Sequence, residues 1–401
     1  MKKRLTSFIS LTVFQLINTT RKLIPKESSV VVIAPAPPGS LGDQALLEGL
    51  SQLLYQRGLQ YDEILVSGNK KIHQTKYGPR RTLTASSTDK IAIILLAIRL
   101  IRTRGLIIVG ADTTDGSYNI TKNHAWIDIA KIFDKIGIAV AFVSFSFSDN
   151  PKKEIYSRLS KLSSNIEFKS RDPISCERFK KFVGHRCQLT ADLAFSMPAE
   201  IGKLQHSPAE RWITTQRQNK KTLVALNINS LPINANHEQI SSSVARAIRH
   251  TQETHPDCSF IFLPHDYRQQ QSDQSILVSI YEKTECKSNI FVLTEQRTAQ
   301  EIKYLTGFCD LTITGRMHLA IAALSQGIPV YCFSYKGKFE GLMNHFELKG
   351  NLTQVDTVLD PTKLSSFFDY AIKNHRYDLE KVKRHLPSVL AKSEHNIPSW
   401  A

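Results

Sequence analysis

The chain has 401 residues, and 52 Lys and Arg against 36 Asp and Glu give it a formal charge of +16. That length exceeds one ordinary core and suits two domains, and an apolar share of 41% is ordinary for a globular protein, so disorder is not the default. The cationic excess favours phosphorylated metabolites, lipid-linked saccharide phosphates, a membrane surface or nucleic acid, and nucleic acid is the weakest of these because no recognition module or aromatic-interleaved basic repeat is present, so none is expected as a partner. Six cysteines without CxxC spacing exclude a disulfide framework and a zinc site, and read as reduced thiols of a cytoplasmic protein.

In chain order, residues 1–28 form a basic amphipathic arm. Phe8, Ile9, Val13, Leu16 and Ile17 fall near one helical face between cations, too short and polar to span a bilayer. The arm reads either as an interfacial helix giving peripheral contact at the inner face of the membrane, or as a packing arm of the first domain. Residues 29–197 alternate strand and helix patterns, the signature of a parallel, doubly wound sheet. Ser29 to Ala34 is a buried strand, and a proline-rich turn leads to Gly39, Ser40, Gly42 and Asp43 at the start of a helix with Leu46, Leu47, Leu50, Leu53 and Leu54 on its apolar face. Gly42 lets backbone approach a ligand, and Asp43 is a candidate for holding an acceptor hydroxyl or for stabilising the helix dipole. Tyr61 to Val66 is the next strand, and Asn69 to Ser87 is a polar loop long enough for a lid. Ile91 to Ile101 is apolar all round and predicts a buried helix. Gly105 to Gly110 is a central strand that delivers Asp112, a candidate for sugar hydroxyls, into a turn. Further strands end at Arg171 and near Asp192.

Residues 198–221 lose the apolar rhythm and collect cations, which marks a linker. The second domain, 222–359, opens on Leu223 to Ile228, with Asn227 and Asn229 at the strand end. Ser259 to Leu263 is a fully apolar strand ending in Pro264-His265-Asp266, where Asp266 could hold the tautomer of His265. Asp310 to Ile313 hands over through Gly315 to Arg316 and His318 at the start of a helix, where unpaired N–H groups attract an anion. Val330 to Phe333 delivers Tyr335, Lys336, Lys338 and Glu340 to the same rim. Residues 360–401 predict two terminal helices.

The run Thr314-Gly-Arg-Met-His318, the following Ile-Pro-Val strand and Tyr335-Lys-Gly-Lys-Phe-Glu-Gly341 resemble the C-terminal signature of the polysaccharide pyruvyl transferases. In the same order, the chain is similar to that family at Gly39-x-x-Gly42-Asp43, with Ser40 where Asn is frequent, at Arg171-Asp172-x-x-Ser175 and at Asp192-x-x-Phe195. Gly110-Ala111-Asp112 matches a glycine-rich family turn only partly. The resemblance implies two Rossmann-like, doubly wound α/β domains facing across a cleft in a glycosyltransferase B-like architecture. It implies transfer of the pyruvyl unit of phosphoenolpyruvate to a sugar of a polysaccharide or its lipid-linked precursor, as a cyclic ketal. An enol phosphate carrying a carboxylate needs cations and a proton donor. Arg316, Lys338, Arg171 and Tyr335 are the candidates for phosphoenolpyruvate, and His318, Asp43, Glu340 and His265 for proton handling. Gly42, Asp43 and Asp112 stand on the acceptor side. No cofactor or metal is required. A nucleotide-sugar glycosyltransferase of the same architecture and a non-catalytic saccharide-binding protein are the alternatives.

Overall fold

The computed structural model describes residues 14–35, 39–66, 75–85, 89–268, 272–335 and 337–401. Lys336 and the first part of the arm, with Phe8, Ile9 and Val13, lie outside the described residues. Two compact units emerge: Met1–Pro37, Leu46–Leu193 and Lys392–Ala401 form one, Pro38–Ala45 and Ala194–Ala391 the other. Their membership differs from the predicted boundaries at both ends, since residues 38–45 count with the second unit and the last ten with the first.

The first unit is a seven-stranded parallel sheet of β1 (Ser29–Ile33), β2 (Gln60–Val66), β3 (Thr82–Ala85), β4 (Gly105–Ala111), β5 (Ala139–Phe145), β6 (Glu167–Ser170) and β7 (Gln188–Leu189). The strand order is β3-β2-β1-β4-β5-β6-β7, the doubly wound order in which the sheet reverses direction between β1 and β4. Helices α1 (residues 14–23), α2 (Leu41–Gln56), α3 (Lys90–Arg99), α4 (Ile120–Lys135), α5 (Lys153–Leu159) and α6 (Pro173–Val183) accompany it. The described part of the arm packs: Phe14 and Ile17 lie against the core that holds Trp126, Phe133 and Ile138. Arg21 is buried and donates to the carbonyls of Gly137, Ile101 and Thr103 at 2.8–3.0 Å. β3 falls inside the predicted long loop, its four residues too polar and too short to read as a strand.

The second unit repeats the plan with β8 (Thr222–Asn227), β9 (Cys258–Phe262), β10 (Ile290–Val292), β11 (Leu311–Thr314), β12 (Val330–Ser334) and β13 (Leu352–Gln354), in the order β10-β9-β8-β11-β12-β13 and all parallel. Its helices are α7 (Pro208–Gln218), α8 (His237–Thr254), α9 (Asp273–Lys283), α10 (Ala299–Thr306), α11 (Met317–Ser325), α12 (Glu340–Asn344) and α13 (Pro361–Glu394). α7 occupies the predicted linker: Ser207 caps it, Pro208 opens it, and its polar sequence buries only Ala209, Ile213 and Gln216. The two predicted terminal helices are one, since Pro387 sits inside α13 without ending it. Of the apolar face predicted over Leu364, Phe367, Phe368, Tyr370 and Ala371 of α13, all but Tyr370 pack on the second core, and Tyr370 is exposed. Asn227 of β8 pairs with Thr314 of β11, and Thr314 with Cys332 of β12, so the carboxyl ends of three strands are level at the reversal point.

Candidate active site

The candidate residues of the second unit gather at those carboxyl ends. Thr314 Oγ1 accepts the N–H of Arg316 at 2.9 Å and turns the chain from β11 into α11. Gly315 makes the turn possible, because a Cβ there would press on Asn229 at 3.1 Å. Arg316 is the N-cap residue of α11, and His318 is its second residue.

Arg316 is tied down from two sides. Its Nε and Nη2 donate to Asp273 at 2.7–3.2 Å, and its Nη1 donates to Asp266 at 3.2 Å. Asp273, fully buried at the first turn of α9, also accepts Asn227 Nδ2 and the backbone N–H of His265, each at 2.9 Å. Burial pushes the Asp273 carboxyl upward, while Arg316, Asn227 and the His265 N–H pull it back. Asp266 divides its oxygens between Arg316 and Arg268, whose Nε lies 2.9 Å away. Its carboxylate thus serves guanidiniums instead of orienting the adjacent imidazole, as expected for neighbours pointing to opposite sides of an extended segment.

His265 is buried, and its imidazolium is held well below the ordinary histidine range by burial first, then by the charges of His318 and Arg316. His318 lies against Gly42: a Cβ built on that glycine would meet the imidazole Nδ1 in collision and stand 3.0 Å from Cγ. Gly42 is the second residue of α2, so the first turns of α2 and α11 meet here. Ser40 sets this up, since its Oγ accepts the N–H of Asp43 at 3.4 Å and its carbonyl accepts that of Gln44. Ser and Asn are both good N-caps, so the departure at position 40 keeps the local function. Ser40 also bridges to Asp266, and the N–H of Tyr267 donates to Gly39 at 2.8 Å. Gly39 has φ +89°, a conformation that favours glycine.

The β12 end carries the remaining candidates. Asn229 Nδ2 lies 3.5 Å from the Tyr335 hydroxyl, and the Lys338 ammonium lies 5.1 Å over the Tyr335 ring. Ser334 Oγ donates to Glu340 Oε1 at 2.8 Å, whereas Glu340 Oε2 is buried with no hydrogen-bond partner among the described residues.

A chain model of one family, polysaccharide pyruvyl transferase, matches residues 41–337, most of the sequence and every element just described from Gly42 to Tyr335. The chain belongs to the polysaccharide pyruvyl transferase family. No curated protein matches it by sequence. Solved structures share the two-domain α/β fold at low identity. The UDP-GlcNAc 2-epimerase of Neisseria meningitidis, bound to UDP-GlcNAc, has a TM-score of 0.59 at 12% identity over 92% of this chain and 97% of that one. The UDP-GlcNAc 2-epimerase of Methanocaldococcus jannaschii gives 0.55 at 12% over 85% and 92%. A further UDP-N-acetylglucosamine 2-epimerase gives 0.61 at 10% over 93% and 95%. These likenesses place this pyruvyl transferase family member in the glycosyltransferase-B fold class.

Two predicted site residues of this family member lie in the first unit. Arg171, after β6, is buried and forms an ion pair with Asp192 at 3.0 Å while Nε donates to Ser146 at 2.7 Å. The family's Arg-Asp-x-x-Ser and Asp-x-x-Phe elements are thus joined by a buried salt bridge, and Asp172 caps α6 through the N–H of Ser175. Asp112 is half-buried in the turn after β4, where Ala111 has φ +49°. Asp273 is the residue that sequence reasoning missed. Nothing in its surroundings marks it, because its role depends on a guanidinium forty-three positions later.

Proposed function

We propose that this chain transfers the pyruvyl group of phosphoenolpyruvate to a saccharide hydroxyl pair, forming a cyclic ketal and releasing inorganic phosphate. The observation that carries the reading is the meeting of Gly42 and His318, which sets the glycine-aspartate element beside the Arg-x-His element with two helix N-termini at one point. Arg316 and Arg268 are met by Asp266 and Asp273, so the formal charges of these four cancel. Attraction for phosphate and carboxylate then falls to the N–H groups of α2 and α11 and to Lys338. Arg316 holds the start of α11 in place, with any donor contact an addition to that duty. The Arg171 guanidinium, committed to Asp192 and Ser146, shapes the β6–β7 corner of the first unit.

His318 delivers a proton to C3 of the enol phosphate. His265, kept neutral by burial and by cationic neighbours, is the poorer acid and serves as a hydrogen-bond partner. A sugar hydroxyl attacks C2 and surrenders its proton to Asp43 or Glu340, whose Oε2 has an acceptor site to offer. The C2–O bond to phosphate breaks, phosphate leaves with its bridging oxygen and takes the proton held by that carboxyl group, and the neighbouring hydroxyl closes the ring at C2 as its proton returns to His318. Asp112 is kept on the acceptor side.

The test is phosphate release in the presence of phosphoenolpyruvate and panels of free, lipid-linked and polymeric glycans. Release that needs both substrates supports the proposal. Release of nucleoside diphosphate from a nucleotide sugar, with none of phosphate from phosphoenolpyruvate, overturns it in favour of a glycosyltransferase.

A further inference from the structure

α3 reads in sequence as apolar all round, the pattern of a helix buried on every side. The structure buries only Ile93 and Ala97 fully. Ile91, Leu95 and Ile98, at i, i+4 and i+7 on one face, are 71%, 62% and 39% exposed. The segment that follows α3 is clasped by α1, because Arg21 donates to Ile101, Thr103 and Arg104 carbonyls. On α1, Leu16 and Leu23 stand seven residues apart on one face and are 67% and 82% exposed.

Cations frame this apolar surface. Lys90 begins α3, Arg99 ends it, and both are exposed, as are Lys22 and Arg102. The acids nearby are already engaged: Asp89 accepts the N–H groups of Ile91 and Ala92 at the start of α3, and Glu27 pairs with Arg80 and Arg102. A cation-framed aliphatic stripe is complementary to the headgroup and upper acyl region of an anionic bilayer, where Lys and Arg stems reach outward to phosphate. The three aliphatic side chains of the α3 stripe offer on the order of a few hundred Å², below the roughly 800 Å² per partner of a standard protein interface. That area suits shallow insertion better than a stable dimer. Among the described residues no helix is long and apolar enough to cross a membrane.

We propose that the exposed face of α3 docks this protein on an anionic lipid surface. The proposal is independent of the transfer chemistry and would hold for any activity of the site.

Flotation of the full chain with phosphatidylcholine vesicles, with and without phosphatidylglycerol, tests it. The wild-type chain is expected to float only with the anionic vesicles. The double variant Ile91→Glu/Leu95→Glu is expected to float about tenfold less while keeping its melting temperature, since both side chains face solvent. Should that variant unfold, Lys90→Glu/Arg99→Glu supplies the same reading with the apolar stripe intact. Failure of the wild-type chain to float, or equal flotation of wild type and folded variant, overturns the proposal. Sedimentation that shows a wild-type dimer dissolved by the α3 variant overturns it too, by assigning the face to a second copy of the chain.

Discussion

Gly42 packs against the imidazole of His318 at Nδ1, leaving no room for a side chain between the first turn of α2 and the first turn of α11. The contact joins two elements far apart in sequence, and it makes the glycine a spacer that decides where the imidazole proposed as proton donor stands. Gly42→Ala is expected to displace the ring. A shift of about an ångström in a reacting group can cost roughly 10²-fold in rate, so kcat for phosphate release should fall by about that factor. The substitution sits early in a helix that alanine favours, so circular dichroism should show an unchanged helix content. Wild-type turnover in Gly42→Ala would show that the imbalance of space is absorbed elsewhere and that ring position is not critical.

The two histidines should separate in kinetics. His318→Ala is expected to lower kcat by about two to four decades, the usual contribution of a general acid or base. His265→Asn should cost less, because the depressed pKa of His265 leaves it neutral at working pH and unable to supply the proton. The same depression has a stability consequence. In the unfolded chain His265 protonates as pH falls through about 6.5, while the folded chain resists, so its contribution to stability is lost on acidification. Thermal melts between pH 7 and pH 5 should therefore fall less steeply for His265→Asn than for wild type.

Arg316 and Asp273 form the structural knot under α11. Asp273→Ala leaves the guanidinium with Asp266, strips the His265 N–H of its acceptor and leaves Asn227 Nδ2 with the Leu263 carbonyl alone. Breaking a buried pair by removing one partner costs about 3–5 kcal/mol. Chemical denaturation of the variant should show a loss of that order, together with reduced turnover. A loss below about 1 kcal/mol would mean the pair behaves as a surface salt bridge and does not organise the site.

Much of this was readable from residue pattern. The apolar runs that became β1, β4, β8 and β9 announced themselves because strands buried on both faces have no alternation to confuse. The helix after Arg316 was equally plain, bounded by Gly327 and Pro329. Ser40, which looked like a departure from the family, proves to be a helix cap, a role composition could have suggested. What stayed hidden needs three dimensions. Asp273 is one acid among many until Arg316 folds against it, and α7 and β3 bury too little to leave a rhythm. α3 was misread for a different reason: an apolar helix without a polar face gives periodicity nothing to orient, so the open side at Leu95 could be seen only in the folded chain.

Glu63 offers a last measurable consequence, in the first unit. It is fully buried on β2, and neither carboxylate oxygen has a hydrogen-bond partner among the described residues. Burial pushes its pKa up from 4.5 to about 7. The folded chain therefore binds a proton more tightly than the unfolded one between those values, and stability falls as pH rises through that window. The penalty is absent below pH 4.5, complete above about pH 7, and worth up to about 3 kcal/mol at 1.36 kcal/mol per unit. Glu63→Gln removes the titration whatever its constant offset. Relative to wild type, its unfolding free energy should improve as pH is raised from 5 to 8. Parallel curves for the two proteins across that range would show that Glu63 finds a partner in solution and keeps an ordinary carboxylate affinity for its proton.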